Sequence, residues 1–347
     1  MDEVNHRALT TPASSPLVSV IILNYNGLRY LGARLKSCLD SVVECDYQHF
    51  EVIFVDNGST DGSSVFVEES YRNKVLVIQN QRNLGCAKGF NVGIRRSKGK
   101  YLALISNDMI VNRNWLNPII KLMESDRRIG LVGCKRLAYG VDRLIDGIGA
   151  DLYLCGRLKT IGAGEVDRGQ YDADRDDIDF IGGTQIVRRS VIEQVGSFDP
   201  GFSEFFSEDI DLCFRVRKAG YKIVYVFDAV VTHIGSATFT GLSRNERERE
   251  FISYMMNRNR IRTGIIHFRV CRLLSSFLTD LVWLTVTPSV KNKLSLLTAY
   301  AWNIKHLPAT LKRRLEIGPS PPYGCKYGMH LAILSEWRAW NRVKHSL

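Results

Sequence analysis

Residues 17–23 read LVSVIIL and run straight into the turn cluster Asn24-Tyr25-Asn26-Gly27. An almost continuous β-branched run of that length suits a strand buried on both faces, the condition of a strand inside a parallel sheet. The same pattern returns further along the chain. Residues 51–55 (EVIFV) end on the polar cluster Asp56-Asn57-Gly58-Ser59-Thr60-Asp61-Gly62, residues 75–78 form a third apolar run, and residues 101–105 (YLALI) stop at Ser106-Asn107-Asp108. Between these runs Leu31, Leu35, Leu39 and Val42 recur at helical spacing within 28–43, and residues 87–96 also read as a helix. Strands alternating with helices at this pitch predict βαβ units and an α/β fold with a mostly parallel central sheet.

Three polar clusters each follow the end of a strand. In open α/β sheets, ligands bind at the carboxyl ends of the strands, so three clusters on one rim predict a binding site there. Any one of them alone is ordinary turn chemistry, since Asn, Asp, Gly and Ser dominate turns. Beyond them, residues 133–179 are rich in Gly and Asp without a clear period. A strand is expected over 180–187 (FIGGTQIV), a helix near 189–195, a turn at Phe198-Asp199-Pro200, a helix over 208–219 closed by Gly220, and strands over 221–227 and 230–233. No GxxxxGK[ST] occurs, which excludes a P-loop. Gly147-Ile148-Gly149 and Gly162-Ala163-Gly164 lack the third glycine of a dinucleotide fingerprint and follow no expected strand, so they read as loop glycines.

The 347 residues carry 47 Lys and Arg against 36 Asp and Glu, a net charge of +11, and 45% hydrophobic residues are ample for a packed core. That composition excludes a wholly disordered chain. The charge is unevenly placed: 18 basic and 6 acidic residues lie from Arg244 to Leu347 (net +12), and 29 basic and 30 acidic residues precede them (net −1). Eight scattered cysteines (Cys38, Cys45, Cys86, Cys134, Cys155, Cys213, Cys271, Cys325) without a CxxC pair leave zinc-ribbon and thioredoxin-like functions unsupported. They suit buried small hydrophobes in a reducing compartment. Residues 1–16, with two prolines, two acids and no apolar run, read as a flexible leader and not a signal peptide, so the expected setting is cytoplasmic.

The segments VSVIILNYNG (18–27), FEVIFVDNGSTDGS (50–63), RNLGCAKGFNVGI (82–94), YLALISNDM (101–109), FSEDIDLCFRVRKAGYKIVYVFDAVVTH (206–233) and RNRIR (258–262) follow one another in this order. Together they resemble glycosyltransferase family 2, especially its rhamnosyltransferase-like branch, over about residues 17–263. The resemblance implies a GT-A nucleotide-sugar-binding domain over 17–243. It also implies an inverting, metal-dependent enzyme that moves a sugar from a UDP-, dTDP- or GDP-linked donor to a hydroxyl of a glycan or lipid-linked acceptor. By the same resemblance Asn24 and Tyr25 face the nucleotide, Asp56 binds the base, Arg82 and Asn83 line the nucleotide side, and Asn107 belongs to the donor motif. Gly183, within Gly182-Gly183-Thr184, would let the sugars approach the backbone, for which a residue without a side chain is suited. Asp56 has the chemistry to accept a hydrogen bond from a pyrimidine N3–H; the plain alternative is an Asp that caps the next helix, a task Asp61 would serve equally well.

Asp108 corresponds to the last acid of the family's DxD motif, with Ser106 where the first acid would stand. The resemblance makes Asp108 and His233 ligands of Mg2+ or Mn2+ on the donor's diphosphate, in keeping with the preference of hard cations for oxygen. It makes Asp209 the general base for the acceptor hydroxyl, with Glu208 supporting it or meeting the acceptor. Acids at a helix start also serve as plain macrodipole partners, and a histidine at a strand end is often structural. Two other functions stand as alternatives. A sugar-nucleotide pyrophosphorylase would carry a Gly-rich loop where NYNG stands, and a non-catalytic nucleotide-sugar-binding protein would have no use for Asp108, Asp209 and His233.

The basic region 244–347 reads as helical. Residues 265–286 are apolar enough to raise a membrane span, but Arg269, Arg272 and Asp280 fall within them, and each charge costs about 2.5–3.5 kcal/mol at a helix centre. Wound as a helix, Ile266, Val270, Leu273, Phe277, Leu281 and Leu284 share one face, and Arg269, Arg272, Ser276 and Asp280 the other. That predicts an amphipathic helix lying in a membrane interface and ended by Pro288, followed by a second over 294–307 and the cluster Lys312-Arg313-Arg314. The expected association is peripheral, at the inner face of the cell membrane, with basic residues gaining roughly 1 kcal/mol each near anionic lipid. Packing on the catalytic domain or on another subunit is the alternative. No nucleic-acid-binding motif accompanies the charge, so no nucleic acid partner is expected.

Overall fold

The computed structural model describes residues 15–153, 155–202, 204–235, 246–287 and 289–318. Most of the expected leader (residues 1–14), the helix stop at Pro288, Cys325 and the basic region from 319 onward lie outside the described residues.

Strands β1 (Val18–Asn24), β2 (Phe50–Asp56), β3 (Val75–Gln79) and β4 (Tyr101–Ser106) lie in the order β3-β2-β1-β4, all parallel. Their register pairs Asn24 with Asp56 and Leu23 with Ser106, which brings the polar clusters to one edge. Val18, Val20 and Ile22 of β1 enter one apolar layer, while Ile21 and Leu23 enter the other. With both faces buried the strand has no polar alternation to show, which is the origin of the LVSVIIL run. The first layer is closed by α1 (Gly27–Leu31), α2 (Arg34–Val43), α3 (Ser63–Ser70) and α5 (Leu116–Ser125), the second by α4 (Cys86–Arg96), α6 (Arg189–Val195) and α7 (Glu208–Lys218). Trp115, just ahead of α5, is fully buried in the first layer. The single helix expected over 28–43 is divided at Gly32, whose φ of 57° ends α1.

The other half of the sheet is mixed. Strand β6 (Ile129–Ala138) emerges from a stretch that showed no period, and β10 (Gln185–Arg188) runs antiparallel between β4 and β6. Strand β11 (Lys222–His233) lies parallel to β6 on its other side, and β5 (Met109–Val111) is antiparallel to β11. Short β7 (Ile145–Gly147) pairs with β6, and β8 (Ala150–Leu152) forms a small hairpin with β9 (Leu158–Thr160). Two expectations change here. The strand foreseen over 180–187 begins only at Gln185, because Gly183 turns into a left-handed conformation (φ 79°) and leaves Phe180 a single bridge to Ala150. The two strands foreseen over 221–227 and 230–233 are one, bent by a register shift between Val226 and Val230.

Helix α8 (Glu246–His267) packs on α7, and α10 (Val290–Lys305) and α11 (Leu307–Ile317) pack on α8. The joint between α7 and α8 is polar and buried. Asp211 accepts from Arg215 Nε at 2.9 Å and meets His267 Nε2 at 2.7 Å, and the His267 ring stacks on Phe214. The amphipathic helix foreseen over 265–286 is shorter than expected: a break at Phe268 and Arg269 separates α8 from α9 (Val270–Val286), and Ile266 is buried in the end of α8. The polar side of α9 faces the protein. Asp280, 1% exposed, takes Arg260 at 2.7 Å, Tyr300 at 2.7 Å and Arg157 at 3.3 Å, a paired carboxylate that burial tolerates. Val270, Leu274, Phe277, Leu278, Leu281, Val282 and Val286 are left exposed. Among the described residues no helix is long and apolar enough to cross a membrane.

Candidate active site

At the carboxyl ends of β1, β2 and β4, the side chains of buried Asn24 and Asp56 and half-buried Asn107 make one hub. Asn24 Nδ2 donates to Asp56 Oδ1 at 2.9 Å and to Ser59 Oγ at 3.2 Å, and its Oδ1 accepts from Asn107 Nδ2 at 2.6 Å. Asp56 also accepts from the Ser59 amide at 3.0 Å and the Ser59 hydroxyl at 2.5 Å, so this carboxylate closes its own turn as well as tying two strands. Tyr25 beside the hub is half-buried, and Arg82 and Asn83 lie exposed on the neighbouring loop. Asn57, which sequence reasoning passed over, staples that loop to the hub. Its Nδ2 donates to Asn83 Oδ1 at 2.9 Å, and its Oδ1 accepts from Asn80 Nδ2 and the Leu84 amide, each at 3.1 Å. Its place next to Asp56 in the same polar cluster was the available signal.

A second group of side chains depends on β11 reaching β5. Their pairing sets His233 opposite Met109 and so brings the imidazole beside Asp108, 125 residues away in sequence. His233 Nε2 lies 3.2 Å from Asp108 Oδ2, and Nδ1 lies 3.2 Å from Asp146 Oδ2. Burial alone would lower the pKa of His233, but hydrogen bonds and charges from Asp108 and Asp146 raise it to about 9. Burial likewise would raise Asp146, and His233 with Arg136 instead hold it at about 2. Arg136 Nε donates to Asp146 at 2.9 Å, and its far end donates to the Gly182 carbonyl. Asp146 and Arg136 were not foreseen, because both lie in the stretch without period, Asp146 on a strand of only three residues.

Asp108 is 7% exposed, and its buried Oδ1 has no hydrogen-bond partner among the described residues. An orphaned carboxylate oxygen beside an imidazole fits a hard divalent cation, which this oxygen would satisfy. Among the described residues no group of three His, Cys, Asp or Glu side chains encloses a metal position. The chain therefore offers Asp108, and His233 once the cation displaces the proton that its two carboxylate neighbours favour, and phosphate oxygens or water would complete such a coordination shell.

Glu208 and Asp209 open α7 on the far side of Gly182. Asp209 Oδ1 accepts from the Ile210 amide at 2.8 Å, and the Gly183 amide also bonds the carboxylate. A Cβ on residue 182 would fall 2.8 Å from Asp209 Oδ2, which accounts for a glycine there. Asp209 lines a cavity of about 430 Å³ together with Arg136, Arg157, Phe206, Asn257 and Arg260. Glu208 is not part of that wall, and its carboxyl meets the half-buried Cys86 instead. Burial first, then the Asp209 charge, push Glu208 up to about 8, and burial raises Asp209 as well. The pair as a whole therefore binds a proton more readily than two free carboxylates do.

The Glycosyl transferase family 2 model matches residues 19–196, just over half of the chain. A protein of Sinorhizobium fredii is 28% identical over 73% of this chain and 29% of its own length. A glycosyltransferase of Rickettsia prowazekii is 27% identical over 67% of this chain and 69% of its own, and glycosyltransferase GlyG of Streptococcus pneumoniae 31% identical over 32% and 36%. The chain thus spans about a third of the length of several relatives it matches. Among solved structures, GalNAc-T7 with UDP, GalNAc and Mn2+ aligns with a TM-score of 0.56 at 14% identity, over 86% of this chain and 58% of that one. The mannosyltransferase PcManGT of Pyrobaculum calidifontis, in complex with GDP-Man and Mn2+, gives 0.50 at 17% identity, over 88% and 86%. At these identities the likeness is one of fold, and the fold is GT-A.

Proposed function

The chain belongs to glycosyl transferase family 2, and from that premise we propose that it transfers a sugar from a nucleotide-diphosphate donor to a hydroxyl held in the cavity at Asp209. The observation that carries this reading is the unbroken line of contacts from Asp108 through His233, Asp146 and Arg136 to Gly182, against which Asp209 lies. One end suits a metal-bound diphosphate and the other suits a base. The nucleotide would lie along the hub of Asn24, Asp56 and Asn107, within reach of Tyr25, Arg82 and Asn83. Mg2+ or Mn2+, held by Asp108 and His233, would neutralise charge on the departing diphosphate. The acceptor hydroxyl passes its proton to Asp209 as its oxygen bonds the anomeric carbon and the bond from that carbon to the donor phosphate oxygen breaks. A single displacement of this kind inverts the anomeric centre. Burial makes Asp209 a stronger base than a free aspartate, and Arg136 keeps its ionised form accessible.

The acceptor side supports an amphiphilic, lipid-linked glycan. Arg260 stands in the wall of the Asp209 cavity and also in that of an apolar groove of about 370 Å³ between α8, α9 and α10, where Ile261, Leu273, Phe277 and Ile304 meet. Such a groove next to a reactive cavity suits a hydrocarbon chain, with the protein working peripherally at the inner face of the membrane. Thermal stabilisation by UDP, dTDP and GDP, and hydrolysis of UDP-N-acetylglucosamine, dTDP-rhamnose and GDP-mannose, with Mn2+ and with chelator, test the reading. One nucleotide should raise the melting temperature with Mn2+ and lose that effect with chelator. Indifference to all three nucleotides overturns the proposal.

A further inference from the structure

In α8 the residues Arg258, Asn259 and Arg262 line neither the Asp209 cavity nor the apolar groove beside it, yet all three are buried. Their partners converge on one stretch of chain. Asn259 Nδ2 donates to the carbonyl of Phe205 at 2.8 Å and of Phe206 at 2.9 Å. Arg258 Nη2 lies 3.2 Å from Glu204 Oε2, and Arg262 Nη2 donates to Asp199 Oδ2 at 3.1 Å. That stretch is unusual in its backbone. Glu204, Phe206 and Ser207 have φ of 67°, 72° and 69°, a left-handed conformation that residues with a Cβ adopt only when their surroundings enforce it. Glu208 and Asp209 follow at once. On the opposite side the Cys86 amide donates to the Glu204 carbonyl at 2.6 Å, and a Cβ on Gly85 would fall 2.4 Å from the Glu204 nitrogen.

We infer that Asn259 is a positioning residue of the transfer reaction: by donating to two consecutive carbonyls it holds Phe206 and Ser207 left-handed and so aims Asp209 into the cavity. The inference rests on the reading of Asp209 as the base. The side chain is well matched to the task, since a primary amide brings two N–H donors without burying a charge. Asparagine is fully buried here, so its loss leaves two carbonyls without this donor and gives the strained residues a route back to ordinary φ.

The test combines hydrogen exchange with turnover. In Asn259→Ala and in Asn259→Asp, which keeps the size but loses the donors, backbone amides over 204–211 should exchange at least about tenfold faster, while those of the sheet are unchanged. Turnover of whichever of UDP-N-acetylglucosamine, dTDP-rhamnose and GDP-mannose the wild type hydrolyses should fall about 10- to 100-fold in kcat, with donor KM within about twofold. Adding Ser207→Gly, which accepts a left-handed φ without penalty, should recover part of the loss when judged against Ser207→Gly alone. Unchanged exchange over 204–211, or a loss confined to KM, or no recovery from the glycine, overturns the inference. If the wild type turns over none of the three donors, the glycosyltransferase reading fails, and the exchange measurement still decides whether Asn259 holds the loop.

Discussion

Glu208 and Asp209 are neighbours with the same functional group and different surroundings, and the difference assigns their work. Asp209 reaches the cavity and accepts backbone amides, whereas half-buried Glu208 lies against Cys86 with one buried oxygen that has no hydrogen-bond partner among the described residues. Asp209→Asn should therefore lower transfer by about 10³-fold or more while nucleotide-induced stabilisation persists. Transfer that survives the substitution would move the base elsewhere. Glu208 makes a different prediction. Its folded pKa of about 8 exceeds the ordinary 4.5, so the folded state binds the proton more tightly than the unfolded state between those values. The stability contributed by the protonated form is complete below about pH 4.5 and declines as pH rises towards 8, by roughly 1.4 kcal/mol per pH unit across that window. Glu208→Gln cannot ionise. Its stability in denaturant should match the wild type near pH 5 and exceed it increasingly up to pH 8, whereas parallel curves would mean that Glu208 is already ionised in the fold.

At the level of elements, the joint between α7 and α8 keeps the start of α7 in place. Asp211 is fully buried and satisfied by Arg215 and His267; burial opposes its ionisation, but the Arg215 charge and the hydrogen bonds from both partners depress its pKa well below the usual carboxylate range, while burial lowers that of His267 itself. A depressed pKa means that the stability Asp211 contributes is present above about pH 4 and is lost as pH falls through the folded value. Asp211→Asn leaves Arg215 without its ionic partner, and at neutral pH should cost about 3–5 kcal/mol of unfolding free energy, with the deficit shrinking in acid. A loss under 1 kcal/mol would show the joint to be dispensable. The elements themselves were unequally legible. Strands β1, β2 and β4 are buried on both faces and announce themselves as apolar runs, and the polar clusters behind them gave Asn24, Asp56, Asn107 and Asp108. Strand β6 stayed hidden because Gly130 and Gly133 interrupt it, each placed where a Cβ would meet Tyr221 or Ile181. With β6 and β7 went Arg136 and Asp146, the two groups that connect Asp108 to Asp209 and that no local pattern marks. His233 was legible as a residue of the family pattern, whereas its partners required the register of β11 against β5.

Across the whole molecule the charge and the exposed apolar surface lie at the same end. Residues 246–318, which hold α8 to α11, carry 13 basic and 5 acidic residues, a net +8, and α9 turns seven large apolar side chains outward while burying Asp280. Leaving such side chains in water forgoes about 1.5–3 kcal/mol each, so a covering surface has much to gain. Exposed Arg269, Lys305 and Lys312 give that surface a preference for negative charge. An anionic bilayer meets both demands and would present a lipid-linked acceptor beside the groove that Arg260 shares with the cavity. The full chain should then float with liposomes containing about one third phosphatidylglycerol and less with neutral ones, and more weakly as salt rises. Leu274→Asp with Leu278→Asp places two charges on the outward face of α9, so flotation should be lost while the melting temperature and the nucleotide response stay within a degree or two of wild type. If the wild type does not float but sediments as a dimer that the double variant converts to a monomer, the same face is a subunit interface and the membrane proposal fails.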